Sequence, residues 1–292
     1  MTYRDSLLQT LPEGRIDSRW FYDRRGSELF ERITDLPEYY PTRTEVTLLR
    51  RHAKEIAGFV GPNATLVEYG AGNLTKIRLI LDALVSPKSY RPLDVSGEFV
   101  RDAAGGLTTS YPALHVSPIV ASFLDPFEVP ARAVGLFLGS TVGNLDDAQI
   151  VRLLTHARGF DRFLLGIDLA KDKETLVAAY DDASGITAAF NLNLLARANR
   201  EADADFDLLE WKHVASWNPR DSRIEMHLES LADQTVTVAG QSFRYAEGGR
   251  ILTEISRKFT PEQIAPLLAQ SGWNVAEVWA DGKLPYAVLG LA

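Results

Sequence analysis

The spacing of apolar positions changes character along the chain. In the first sixty residues apolar side chains recur at helical spacing in a polar background: 26–33 is one such run, and a second helix begins at Thr42. Pro41 and Thr42 make a start for that helix, and Glu45, three residues after Thr42, completes the spacing of a capping box. Between the two helices Leu36-Pro37-Glu38-Tyr39-Tyr40-Pro41 reads as a rigid aromatic loop bracketed by prolines.

From residue 65 short apolar runs alternate with helical segments. Strands are expected at 65–69, 89–95, 114–120, 134–138 and 163–168, with a helix near 74–84 and others between the later strands. This β-α alternation predicts a parallel, doubly wound α/β sheet. After about residue 171 the alternation stops. A helical stretch over 190–197 leads into segments at 211–217, 223–231 and 235–238 that read as antiparallel strands, with turns at Asn218-Pro219 and Ala239-Gly240. A last helix at 261–271 and strands at 275–279 and 286–289 return to the main sheet. The expected organisation is an α/β domain over 61–171 and 259–292, an inserted α+β domain over 172–258, and an N-terminal helical segment, 1–60, that joins the insertion.

Composition then excludes whole classes. Hydrophobic residues make up 46% and charged residues 24%, which is globular and rules out disorder and coiled coil. With 31 Lys+Arg against 39 Asp+Glu the net charge is -8, and the densest basic clusters, Arg24-Arg25 and Arg50-Arg51, are isolated pairs. Nucleic acid is therefore not an expected partner. The chain has no cysteine, which removes disulfides, thiolate metal sites and cysteine nucleophiles together. No apolar run approaches the ~18 residues of a membrane span, and no signal peptide is read at the N-terminus. The expectation is a cytoplasmic enzyme or small-molecule binder without membrane association, and nothing points to an obligate dimer.

Val67-Glu68-Tyr69-Gly70-Ala71-Gly72-Asn73 closes the first expected strand and leads into a helix. Glycines there let the backbone approach a ligand at the helix N-terminus, although many α/β turns carry G-x-G for packing alone. Asp94, at the end of the next strand, is placed to accept both hydroxyls of a ribose, or else it caps the strand. Position 75 is Thr where a dinucleotide fingerprint has its third glycine. That disfavours a nicotinamide dinucleotide and favours a nucleoside ligand without phosphates, such as S-adenosylmethionine. The fourth strand ends in Leu138-Gly139-Ser140-Thr141-Val142-Gly143-Asn144, where ligands bind in such sheets, while Asn144 could equally cap the next helix. His52, His115, His156, His213 and His227 are scattered and form no metal or triad pattern.

Several segments together resemble the L-histidine Nα-methyltransferase family of ergothioneine biosynthesis. They are 21–30 (Phe-Tyr-Asp-Arg-Arg-Gly-Ser-Glu-Leu-Phe), 36–43 (Leu-Pro-Glu-Tyr-Tyr-Pro-Thr-Arg), 68–72, 138–144, 181–191 and 253–259 (Thr-Glu-Ile-Ser-Arg-Lys-Phe). The likeness covers nearly the whole chain, in order, and the two N-terminal blocks are more specific than the glycine turn. It implies a class I methyltransferase, Rossmann-like fold and three methyl transfers from S-adenosylmethionine to the α-amino group of histidine, giving hercynine. It also implies cofactor roles for Gly70, Lys76, Asp94 and Gly139, with Ser122 and Phe123 beside the adenine. On the substrate it implies Asn144 and Tyr180 at the amino and carboxylate groups, Tyr22 and Tyr39 closing the pocket as the catalytic pair, and Glu254 with Ser256 reading the imidazole. No metal is implied.

Two positions depart from the family pattern. Ile255 stands where Asn is usual between Glu254 and Ser256, and Ser122 stands where Asp usually precedes Phe123. Taken without the resemblance, Glu254 reads as a surface strand residue paired with Arg257 or Lys258. Two rival functions stay open at this point: Nα-methylation of another aromatic amino acid, and noncatalytic binding of S-adenosylmethionine.

Overall fold

The computed structural model describes residues 1–72, 74–95, 97–125, 127–281 and 284–292, so Asn73 of the glycine turn lies outside the described residues. In chain order the helices are α1 (Tyr3–Thr10), α2 (Arg24–Thr34), α3 (Tyr40–Arg51), α4 (Ala53–Val60), α5 (Thr75–Leu81), α6 (Gly97–Ser110), α7 (Asp147–His156), α8 (Lys173–Ala178), α9 (Ile186–Glu201) and α10 (Pro261–Gln270). The strands are β1 (Thr65–Tyr69), β2 (Ser89–Asp94), β3 (His115–Val116), β4 (Ile119–Val120), β5 (Ala133–Phe137), β6 (Arg162–Asp168), β7 (Trp211–Asn218), β8 (Arg223–Ser230), β9 (Gln234–Val238), β10 (Gln241–Tyr245), β11 (Arg250–Arg257), β12 (Val275–Asp281) and β13 (Leu284–Leu291). They divide between two compact units, Met1–Tyr40 with Lys171–Ser256, and Pro41–Ala170 with Arg257–Ala292.

The second unit carries the large sheet, ordered β12-β13-β6-β5-β1-β2-β3, with β4 also on β2. β1, β2, β5 and β6 run parallel, each buried on both faces: Val67 and Tyr69 point into one core and Leu66 into the other. That is why they read as continuous apolar runs. The sheet is not purely parallel, as the alternation predicted. β13 pairs antiparallel with β6 and β12 antiparallel with β13; for β12 and β13, only two residues apart in sequence, no other pairing is open, and β13 then lies antiparallel along the edge of β6. The single strand expected over 114–120 is two short ones, since Pro118 between them has no N–H for the ladder.

The first boundary falls at residue 40/41 rather than 60/61. Leu48, Leu49, Ile56 and Val60 of α3 and α4 are buried with Leu66, Leu136 and Val288 in a core of the large-sheet unit. The Thr42 cap is also corrected: α3 already includes Tyr40 and Pro41, so Thr42 lies inside the first turn. Glu45 turns into the interior instead, where it is 0% exposed.

The other unit packs α1, α2 and α9 against a β11-β8-β7 sheet and a β10-β9 hairpin. Its core joins Leu7, Phe21 and Leu29 to Phe190, Leu194 and Leu228. Asp23 explains the Phe21–Gly26 block. Its carboxylate caps α2 by accepting from the Gly26 N–H at 2.7 Å, and also accepts from Asn193 Nδ2 at 2.8 Å and Arg200 Nη2 at 2.5 Å on α9. A Cβ at Gly26 would overlap the Phe21 carbonyl, so the tight return that places Tyr22 admits only glycine.

Candidate functional site

In the unit formed by Met1–Tyr40 and Lys171–Ser256, a cleft is walled by Phe30, Tyr39, Tyr180 and Phe190, with Met226 at its apolar side and Glu254 as its carboxylate. Tyr39 and Tyr180 are buried and meet edge to face at 6.0 Å. Tyr22 is not among the described residues lining the cleft. It packs edge-on against two rings that are, Phe30 at 5.6 Å and Phe190 at 6.0 Å. Glu254 and Ser256 stand two apart on β11, which puts both side chains on one face of the strand. The buried Ser256 Oγ lies 2.7 Å from the Tyr180 hydroxyl. Arg257 pairs with Asp147, and Lys258 Nζ is 2.9 Å from Asp168, so both cations named as surface partners of Glu254 have carboxylates elsewhere.

Behind Tyr180 lies a second tier. The Asn191 amide nitrogen donates to the His227 carbonyl at 3.0 Å and meets His213 Nδ1 at 2.8 Å. Its orientation is thereby fixed, so His213 Nδ1 accepts and Nε2–H donates to the Tyr180 carbonyl at 2.8 Å. Burial lowers the pKa of His213 and of His227, which keeps this tautomer neutral. Asp182 accepts from the Ile186 and Thr187 N–H groups at 3.0 and 2.7 Å, securing the start of α9. Burial would raise its pKa, but those bonds outweigh it and hold it below the usual carboxylate value.

In the large-sheet unit, the turn after β1 takes Gly70 and Gly72 through left-handed φ values of 62° and 58°. A Cβ at either would meet nothing within 4 Å, so the turn is an open cradle. Gly72 N–H donates to Asp94 Oδ2 at 3.3 Å, which sets Asp94 at the rim of that turn. Lys76, in the first turn of α5, is 3.0 Å from Glu45 Oε2. Gly139 follows β5 at φ 77° and donates its N–H to the same carboxylate at 2.8 and 2.9 Å. Ser122 Oγ accepts from the Leu124 N–H at 3.1 Å. The half-buried Phe123 ring packs 4.9 Å from Phe137 and parallel to Tyr69 at 6.5 Å. Glu68, beneath the turn, is buried and bonded by the Tyr90 hydroxyl, and burial pushes its pKa up to about 7.

Asn144 ends a short 3-10 turn and does not cap α7. That cap is Asp146, in a box closed with Gln149 at 2.7 and 3.0 Å. Sequence reading missed Phe30, Phe190 and Thr187 as cleft residues, although all lie in blocks it had singled out. It also missed the Asn191–His213 tier and the role of Glu45. Among the described residues no cluster of three or more His, Asp or Glu is placed to hold a metal ion, and no helix is long and apolar enough to cross a membrane.

The chain matches the family described as histidine-specific, S-adenosylmethionine-dependent methyltransferase over residues 3–291. It is 43% identical over 275 residues to the histidine N-alpha-methyltransferase of Mycolicibacterium smegmatis, an alignment covering 90% of this chain and 85% of that protein. It is 31% identical over 278 residues to ergothioneine biosynthesis protein 1 of Neurospora crassa, covering 90% of this chain and 31% of that one. Among solved structures, the mitomycin 7-O-methyltransferase MmcR aligns with a TM-score of 0.50 at 18% identity, over 98% of this chain and 66% of that one. That last likeness is one of fold.

Proposed function

The chain belongs to the histidine-specific, S-adenosylmethionine-dependent methyltransferases, and from that premise we propose that it adds three methyl groups to the α-amino nitrogen of L-histidine, giving hercynine for ergothioneine biosynthesis. The observation that carries the substrate is the cleft itself: aromatic walls around one carboxylate, Glu254, beside the Tyr180–Ser256 hydroxyl pair. An imidazole offers an N–H to a carboxylate and a ring face to Phe30 and Phe190. A purely apolar ring would offer the half-buried Glu254 carboxylate no N–H to accept, forfeiting that bond.

The residues of the large-sheet unit fit the cofactor. Gly70 and Gly72 leave the cradle open, Asp94 at its rim suits a ribose diol, and the Lys76 ammonium suits an amino-acid carboxylate, with Gly139 assigned to the same end of the cofactor. Ser122 and Phe123 are assigned to the adenine. Bound there, the cofactor supplies an electrophilic sulfonium methyl. The chain supplies position: Asn144 and Tyr180 orient the amino acid's amino and carboxylate groups, and Tyr22 and Tyr39 close around the nitrogen. The product nitrogen is a permanent cation with no proton to donate, so aromatic faces suit it better than a fixed acceptor. The amine gives up its proton to water, with the tyrosine hydroxyls assisting.

In this reading Met1–Tyr40 with Lys171–Ser256 is the substrate-binding unit, and Pro41–Ala170 with Arg257–Ala292 is the methyltransferase unit. The protein acts as a cytoplasmic monomer on a small molecule, a setting in keeping with a chain free of cysteine. Incubating the purified protein with S-adenosylmethionine and an equimolar amino-acid mixture, with mass spectrometry of the products, tests the whole. Histidine gaining one, two and three methyls is the expected result. Methylation of another amino acid overturns the reading of Glu254 and Ser256. Cofactor binding without any product overturns the reaction.

A further inference from the structure

Glu45 is wholly buried, yet its carboxylate is fully engaged. Oε1 accepts from the Gly139 N–H at 2.8 Å and from the Tyr286 hydroxyl at 2.7 Å; Oε2 accepts from Gly139 at 2.9 Å and from Lys76 Nζ at 3.0 Å. The seat is built for it. A Cβ at Gly166 on β6 would overlap Glu45 Oε1, and a Cβ at Gly139 would lie 2.9 Å from Lys76 Nζ. Two glycines, Gly166 on β6 and Gly139 just beyond the end of the neighbouring β5, therefore make room for one ion pair. The Lys76 side chain stays 19% exposed, so its ammonium has donors left for something arriving from solvent.

We propose that Glu45 is a positioning residue for the cofactor's amino-acid end. It pins the Lys76 ammonium and the Gly139 N–H in one arrangement, so that an incoming α-carboxylate meets a preset cation. A lysine stem has four rotatable bonds, and an unpinned ammonium must be ordered at the moment of binding, which costs affinity. Lys76 spends one ammonium donor on Glu45, and the others would be left for the cofactor's carboxylate. This inference rests on the assignment of Lys76 and Gly139 to the cofactor made above.

The test is calorimetric binding of S-adenosylhomocysteine to the wild type, Glu45→Gln, Lys76→Met and the double variant, with steady-state kinetics alongside. Glu45→Gln is expected to weaken binding about tenfold. It should raise the KM for S-adenosylmethionine in proportion, with the KM for histidine and kcat at saturating cofactor little changed. In the Lys76→Met background the same change should have a much smaller effect, the part that runs through Gly139. Tyr286→Phe, which keeps the carboxylate and removes one donor, should weaken binding about threefold, and it serves if Glu45→Gln does not fold. Lys76→Met weakened with Glu45→Gln and Tyr286→Phe unchanged overturns the inference alone. Fully additive losses overturn it as well. Lys76→Met binding like the wild type overturns the cofactor assignment and the inference with it.

Discussion

The Tyr180 hydroxyl stands 2.7 Å from Ser256 Oγ, and Glu254 precedes Ser256 by two positions on β11, so one strand face presents a carboxylate next to a paired hydroxyl. Glu254→Gln keeps an acceptor and removes the charge. The loss of one charge-assisted bond, about 2 kcal/mol, raises the KM for histidine roughly thirtyfold. Ser256→Ala removes a neutral bond, about 1 kcal/mol, and raises it about fivefold. Steady-state kinetics at saturating cofactor read both, and an unchanged KM in Glu254→Gln removes the imidazole assignment.

Glu68 makes stability depend on pH. Its pKa is about 7 in the folded protein against 4.5 for an ordinary glutamate, so between those values the folded state holds a proton the unfolded chain has lost. The stabilisation is therefore complete below pH 4.5 and is lost as pH rises through about 7, by about 3 kcal/mol in total. Glu68→Gln cannot ionise and still accepts from Tyr90. Denaturant titrations should find it more stable than the wild type at pH 8 and equal to it near pH 4.5.

His213 works in the opposite sense. Burial holds its folded-state pKa below 6.5, so in acid the unfolded chain binds the extra proton and stability falls as pH drops through the folded value. Protonation also turns Nδ1 from an acceptor into a donor facing the Asn191 amide. His213→Ala should lower stability by about 2 kcal/mol at pH 7.5 and remove this acid-side loss, while raising the KM for histidine through the released Tyr180 carbonyl. A Tm profile from pH 5 to 8 that matches the wild type in shape would sink the assignment.

Lys258 and Asp168 form an ion pair with side chains 1% and 0% exposed. Removing one partner strands the other in the interior, so Lys258→Met should destabilise by about 4 kcal/mol. Adding Asp168→Asn to that variant should recover part of the loss. Urea denaturation of the wild type, the two single variants Lys258→Met and Asp168→Asn, and the double variant gives the coupling directly.

Much of this was legible in the residues, and what was not has a physical cause. β1, β2, β5 and β6 announce themselves because both their faces are buried, and the turn at Gly70 and Gly72 because only glycine takes those φ values comfortably. β10, Gln-Ser-Phe-Arg-Tyr, was missed because a two-strand hairpin buries too little to impose a pattern. Glu45 was misread because spacing shows only local partners. Its true ones, Gly139 and Tyr286, are 94 and 241 residues away. Asn144 could not be told from a helix cap until Asp146 was seen to hold that position. The cleft residues Phe30 and Phe190 look like ordinary core at helical spacing, and only their convergence on Glu254 marks them otherwise.

The place of β13 in the sheet also governs the order in which the chain can mature. Until residues 284–291 have been synthesised, β6 is a bare edge with its apolar row of Phe163, Leu165 and Ile167 and an unsatisfied ladder. The whole of Lys171–Ser256 emerges in that interval and can settle with Met1–Tyr40 first. Biogenesis is thus sequential by topology: one unit completes early, and the other waits as an aggregation-prone intermediate for its closing strand. Chaperone demand should concentrate in that window, and a chain cut before Leu284 should be found in inclusion bodies.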